Sequence, residues 1–116
     1  MKRILVVDDE LDIALAVRAV LEAEGYEVET AANGRQCLEM LRAELPDLLL
    51  LDVMMPLVDG FGVLQRMREE NLQVPVVMMS AIRPEDRLDG LQVEAFLRKP
   101  FQLEALLDVV DRVLEG

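Results

Sequence analysis

Five polar residues stand where apolar runs stop. Asp8 and Asp9 follow the aliphatic run Ile4 to Val7, Asp52 follows Leu48 to Leu51, Ser80 follows Val76 to Met79, and Lys99 follows Ala95 to Arg98. If each run is a strand of one parallel sheet, all five side chains gather at one edge of it. Three carboxylates at one rim repel one another and resist ionisation unless a cation stands among them. A hard divalent ion with oxygen ligands answers that need. Mg²⁺ suits best, since it accepts few protein ligands and keeps its waters; Mn²⁺ would serve in its place. Lys99 adds a second positive charge. Acids, a divalent ion and a lysine together equip a site to accept a phosphoryl group. A carboxylate is a competent nucleophile for that transfer, and the Ser80 hydroxyl can donate to a phosphoryl oxygen.

Taken singly, each residue has a plainer explanation. Asp8 and Asp9 would be an N-cap and a first-turn acid. Asp52 would open a turn, Ser80 would be a loop residue, and Lys99 a solvated charge. Five such residues at the matching ends of four strands are hard to explain as caps, so their joint placement favours a site.

The elements that must position them form a repeating rhythm of apolar run, polar turn and helix-period segment. Unbroken aliphatic runs suit strands buried on both faces. Ile13, Val17, Val20 and Leu21 mark one side of a first helix, which Gly25 stops. Tyr26 to Thr30 alternates with acids, as an edge strand does. Asn33 caps a helix with the face Leu38, Leu41 and Leu45, ended by Pro46. Asp59 caps another, carrying Val63, Leu64 and Met67. Asp86 to Gly90 is a weak, short helix candidate. Leu103, Leu106, Leu107, Val110 and Leu114 line a strongly amphipathic last helix. Five strands alternating with five helices predict an α/β, doubly wound, five-stranded parallel sheet, with the ligand beyond the carboxyl ends of the strands.

Composition narrows the function further. The 116 residues fit one domain spanning 1–116, and 53% are hydrophobic, enough for a core without staples. Lys and Arg number 12 against 23 Asp and Glu, a net charge of −11, so direct nucleic-acid binding is disfavoured. The absence of histidine removes Ser–His–Asp and Cys–His catalysis, and the single Cys37 excludes an intramolecular disulfide and any Cys-rich metal site. No apolar stretch is long enough to span a membrane, and the acids at 8–10 cut short any signal peptide. A reducing cytoplasm is the natural location.

The segments VVDDE (6–10), LLLLDVMMPLVDG (48–60), VVMMS (76–80) and FLRKPF (96–101) resemble, in order and across essentially the whole chain, the receiver domains of two-component response regulators. The resemblance implies a flavodoxin-like strand order, 2-1-3-4-5. It implies Asp52 as phosphoacceptor; Asp8, Asp9, Asp52 and the backbone carbonyl of Met54 as the Mg²⁺ set; and Lys99 as the phosphoryl-pairing lysine. Ser80 and Phe96 would be the switch pair, and Lys99–Pro100 a cis peptide. The implied partner is a sensor histidine kinase or phosphotransfer protein. The phosphorylated surface would then meet a second copy, a downstream protein or an output domain. Such a chain is no turnover enzyme. It would catalyse only its own phosphorylation at Asp52 and slow autodephosphorylation.

Two departures from the family pattern carry expectations. Ser80 and Lys99 are nineteen positions apart, a few fewer than usual, with Pro84 and Gly90 between them, and LQVEAF replaces the usual Gly-Ala run. This predicts a short or atypical fourth helix, with a mobile or atypical segment from Arg83 to Val93. Met54 and Ile82, two residues beyond Asp52 and Ser80, are apolar at positions that in the family tune dephosphorylation. Neither can orient a water, which predicts a long-lived phosphoryl state.

Two other classes compete. A phosphatase of the haloacid dehalogenase type needs a second Asp two residues after the nucleophile, where Met54 stands. A pseudo-receiver would dock partners without phosphorylation. Dinucleotide binding is disfavoured because the first strand leads into acids rather than a Gly-rich loop.

Overall fold

The computed structural model describes residues 1–81 and 93–115. The strands are β1 (Arg3–Val7), β2 (Glu27–Ala31), β3 (Leu48–Asp52), β4 (Val76–Ser80) and β5 (Ala95–Arg98). The helices among the described residues are α1 (Leu11–Ala23), α2 (Gly34–Ala43), α3 (Gly60–Glu69) and α4 (Leu103–Glu115). The strands form one parallel sheet in the order β2-β1-β3-β4-β5. The chain order reverses between β1 and β3, so the strand that leads into Asp8 and the strand that ends at Asp52 are neighbours there, the place where open α/β sheets bind their ligands.

Side-chain alternation along each strand feeds two separate cores. Ile4, Val6, Leu48, Leu50, Val77, Met79 and Leu97 face α1 and α4, where they meet Val17, Leu21, Leu106 and Val110. Leu5, Val7, Leu49, Leu51, Val76 and Met78 face α2 and α3, where they meet Cys37, Leu38, Leu41, Val63 and Met67. Each fully buried Leu is worth roughly 2 kcal/mol over an exposed one. Four consecutive buried leucines at 48–51 therefore make β3 the best-anchored strand.

The helix starts follow from their caps. Asn33 Oδ1 accepts from Gln36 N at 2.8 Å, and Asp59 Oδ1 accepts from Gly62 N at 2.8 Å. Two expected face residues fall elsewhere. Leu45 lies beyond the end of α2 and is exposed, because the chain turns extended at Glu44 before Pro46 can act. Leu103 is also exposed, being the first residue of α4, ahead of the turns that reach the sheet. β2 runs one residue later than the alternation suggested, with Ala31 in the core. The helix candidate at 86–90, Ile82, and all of the 83–93 segment but Val93 lie outside the described residues. Among the described residues no helix is long and apolar enough to cross a membrane.

Candidate functional site

The site is built where β1, β3 and β5 end. Asp8 remains tied to the sheet, its N–H donating to Ala31 O at 3.1 Å, and it is buried. Its Oδ1 accepts from Glu10 N at 2.9 Å, a local turn that launches α1. That bond fixes the carboxylate's orientation and leaves Oδ2 to meet Lys99. Asp52 is the last residue of β3 and is 3% exposed. Ser80, the last residue of β4, is equally buried, and its carbonyl accepts from Lys99 N at 2.8 Å, which fixes the backbone of the lysine. The Lys99–Pro100 peptide is cis.

Lys99 Nζ lies 2.6 Å from Asp8 Oδ2, 3.4 Å from Asp52 Oδ2 and 3.7 Å from Glu10 Oε1. One ammonium thus answers three carboxylates, two of them buried. Burial pushes the Asp52 carboxyl up to about 6 and Asp8 pushes the same way, while Lys99 and a hydrogen bond from the Met54 backbone pull it back. Burial works against the Lys99 charge as well. The hydrogen bond to Asp8 and the charges of Asp52 and Asp8 outweigh it and hold the group above the ordinary lysine value.

One carboxylate oxygen from each of Asp8, Asp9 and Glu10 lies within 4.8 Å of the other two. These hard oxygens, beside a partly compensated Asp52, fit the demands of a small divalent cation. Glu10 was not among the ligands expected from sequence. A third acid directly after the pair was the available signal, but at a helix start it reads as a favourable first-turn charge. It heads α1 as N-cap, yet its side chain makes no capping bond. Asp9 is exposed at the mouth. Met54 is also exposed.

Ser80 and Phe96 occupy the opposite strand parity from Asp52 and Lys99. Ser80 shares the register of Val76 and Met78, and half-buried Phe96 packs on the α2–α3 core beside β4, paired in register with Met78. The loop from Val53 to Asp59 closes the site on the α3 side. Gly60 N donates to Val53 O at 2.9 Å, and Val58 N donates to Pro56 O at 2.9 Å around Leu57, whose φ is 72°. This is a γ-type turn in the left-handed region, an unfavourable place for leucine.

The sequence profile of the response regulator receiver domain matches residues 4–111. A probable transcriptional regulator, ycf27, of Cyanophora paradoxa is 44% identical over 108 residues, covering 90% of this chain and 45% of that protein. The alkaline phosphatase synthesis transcriptional regulatory protein PhoP of Bacillus subtilis is 42% identical over 103 residues, covering 86% and 43%. The chain therefore spans a little under half the length of these relatives. Among solved structures, the chemotaxis response regulator CheY4 of Vibrio cholerae superposes with a TM-score of 0.90 at 35% identity, covering 98% of this chain and 99% of its own. The response regulator TrrA of Thermotoga maritima, solved in complex with Mg²⁺-BeF, superposes with a TM-score of 0.86 at 33% identity, covering 98% and 100%. Fold order, strand-end acids and sequence likeness converge, and the chain belongs to the response regulator receiver domain family.

Proposed function

We propose that this chain is a phosphorylation-dependent signalling switch in which Asp52 accepts a phosphoryl group from the phosphohistidine of a sensor kinase or phosphotransfer protein. The observation that carries this reading is the place of Asp52: a buried carboxylate at a strand end, with Lys99 3.4 Å away and Asp8 held 2.6 Å from the same ammonium. In the transfer, an Asp52 oxygen attacks phosphorus. The O–P bond forms as the N–P bond breaks, and the imidazole keeps the electron pair and takes up a proton. Lys99 faces the growing negative charge from its place between Asp8 and Asp52. Asp8, Asp9 and Asp52, with the Met54 carbonyl, would hold Mg²⁺ or Mn²⁺, and Glu10 stands within reach of the same ion. Bound there, the ion would offset charge on the transferring group. The Mg²⁺-BeF complex of TrrA supports this assignment.

The acyl phosphate brings further negative charge into a buried site. Ser80 would donate to it, and Phe96, packed beside β4, would repack in response, which changes the surface offered to a protein partner. The expected result of incubating the chain with Mg²⁺ and acetyl phosphate or phosphoramidate is one phosphoryl group, mapped to Asp52. A chain that takes up none under those conditions is a docking module instead, and the switch reading falls.

The lifetime of that product is a separate matter. Met54 is apolar and exposed at the site, so it offers nothing to orient an attacking water. We expect the acyl phosphate, once excess donor is removed, to persist for many minutes with Mg²⁺ present. Decay within seconds, followed by intact mass, would overturn that expectation and leave phosphoryl acceptance untouched.

A further inference from the structure

We propose that Gly34, on the first turn of α2 and outside the strand-end cluster, is a positioning residue for Asp52. It acts by seating the 53–59 loop, which begins at Asp52 and returns to it at Gly60. This deepens the acceptor reading above and rests on it.

A methyl group at Gly34 would stand 2.3 Å from Val58 O and 2.9 Å from both Val58 Cβ and Val63 Cγ2. The nearest of these is a backbone oxygen, which cannot swing aside as a side-chain tip can. Either α2 or the loop would have to move. The start of α2 is held in place: Asn33 Oδ1 accepts from Gln36 N at 2.8 Å, and Gln36 Oε1 accepts from Ala32 N at 2.8 Å. Cys37, Leu38 and Leu41 bury its inner face, and Arg42 grips Glu70 through two bonds of 2.7 and 2.6 Å. The loop is the part that yields.

The loop has little room to absorb such a push. Its far end is clamped by Gly60, whose N–H binds Val53 O and whose own missing methyl would stand 2.8 Å from Asp52 O. Its middle already holds Leu57 at a φ of 72°. A strained segment persists only where its surroundings over-determine it. Pressing on Val58 therefore shifts the short run from Val53 to Pro56, the residues that directly follow Asp52 and that Gly60 holds against its carbonyl. Gly34 needs no special backbone angle, and alanine is the better helix former. Room for the loop, rather than the conformation of α2, is what glycine supplies.

The test compares rates of phosphorylation at Asp52 by phosphoramidate, at saturating Mg²⁺ and at a temperature where circular dichroism shows each protein folded. Gly34→Ala is expected to react about tenfold more slowly or worse, the scale set by small misplacements of a reacting group. Amide exchange at Gly60, whose N–H binds Val53 O across the loop, is expected to accelerate. Leu41→Ala, on the same helix and in the same core but away from Val58, is the structural control. It should lower the melting temperature and keep the wild-type rate. Val58→Ala removes part of the loop's seat from a half-buried position and should slow the reaction several-fold, so the idea stays testable even if Gly34→Ala does not fold. A folded Gly34→Ala with the wild-type rate, an unslowed Val58→Ala, or equal slowing in Leu41→Ala each overturns the proposal while leaving Asp52 as acceptor. A wild-type chain that never labels at Asp52 overturns both.

Discussion

Asp52→Asn is expected to abolish phosphoryl uptake and, in the absence of divalent cations, to make the protein more stable. The two effects share one cause. Burial first and Asp8 second push the Asp52 carboxyl up to about 6, well above its ordinary value. A carboxyl raised on folding contributes stability that is whole below pH of about 4 and is lost as pH climbs through about 6. At pH 8 the ionised side chain is a burden that Lys99 relieves most and the Met54 backbone a little. Asparagine keeps the volume without the charge, so the variant should gain about 2 kcal/mol at pH 8 and close to nothing at pH 4. Urea unfolding of both proteins at the two pH values measures this. An equal gain at both would show that charge is not the reason. Mass analysis after exposure to donor and Mg²⁺ should find no phosphoryl group on the variant, and labelling at the wild-type rate would remove Asp52 from its role.

Lys99→Met carries the second large expectation, and its sign is opposite. The Lys99 ammonium sits 2.6 Å from a fully buried Asp8 oxygen and serves Asp52 as well. Removing one partner of a buried pair leaves an uncompensated charge, a loss of about 3 kcal/mol at pH 7. The deficit should shrink as pH falls below about 6, where the Asp52 carboxyl takes up a proton. Saturating Mg²⁺ should return part of the stability, because a divalent cation answers the same charge. It should not return the rate of phosphoryl acceptance, which we expect to fall about a hundredfold, the cost of losing one well-placed electrostatic partner. A Lys99→Met protein that accepts phosphoryl groups normally would reduce the lysine to a structural counter-ion. Combining it with Asp52→Asn should cost less than the single effects suggest, since the two groups share one interaction.

The strands were legible because parallel strands buried on both faces leave unbroken aliphatic runs, as at 4–7, 48–51 and 76–79. The strand-end polar residues stood out against those runs, and the caps at Asn33 and Asp59 are local enough for sequence to specify. What escaped was geometry set by packing. Leu45 continues the helical spacing of α2 although the chain has already left the helix, since period alone does not mark where a backbone turns extended. Glu10 resembles any acid at a helix start until its distance to Lys99 is known. Nothing in a leucine announces the left-handed conformation of Leu57, and nothing in Gly34 announces the carbonyl facing it. Both are consequences of how α2 and the loop after β3 share space.

Among the described residues, the fully buried parts of the two cores are synthesised over different spans of the chain. Among the described residues, every fully buried one on the α2–α3 side lies between Leu5 and Met78, with half-buried Val93 and Phe96 added later, whereas the α1–α4 side waits for the buried Leu97, Leu106 and Val110. A nascent chain emerging from the ribosome can therefore bury the described inner residues of one face of its sheet while the other still lacks the cover of α4 over Leu48 and Leu50. During that interval an apolar sheet surface lies open, the kind of surface that chaperones recognise and that drives aggregation when they are scarce.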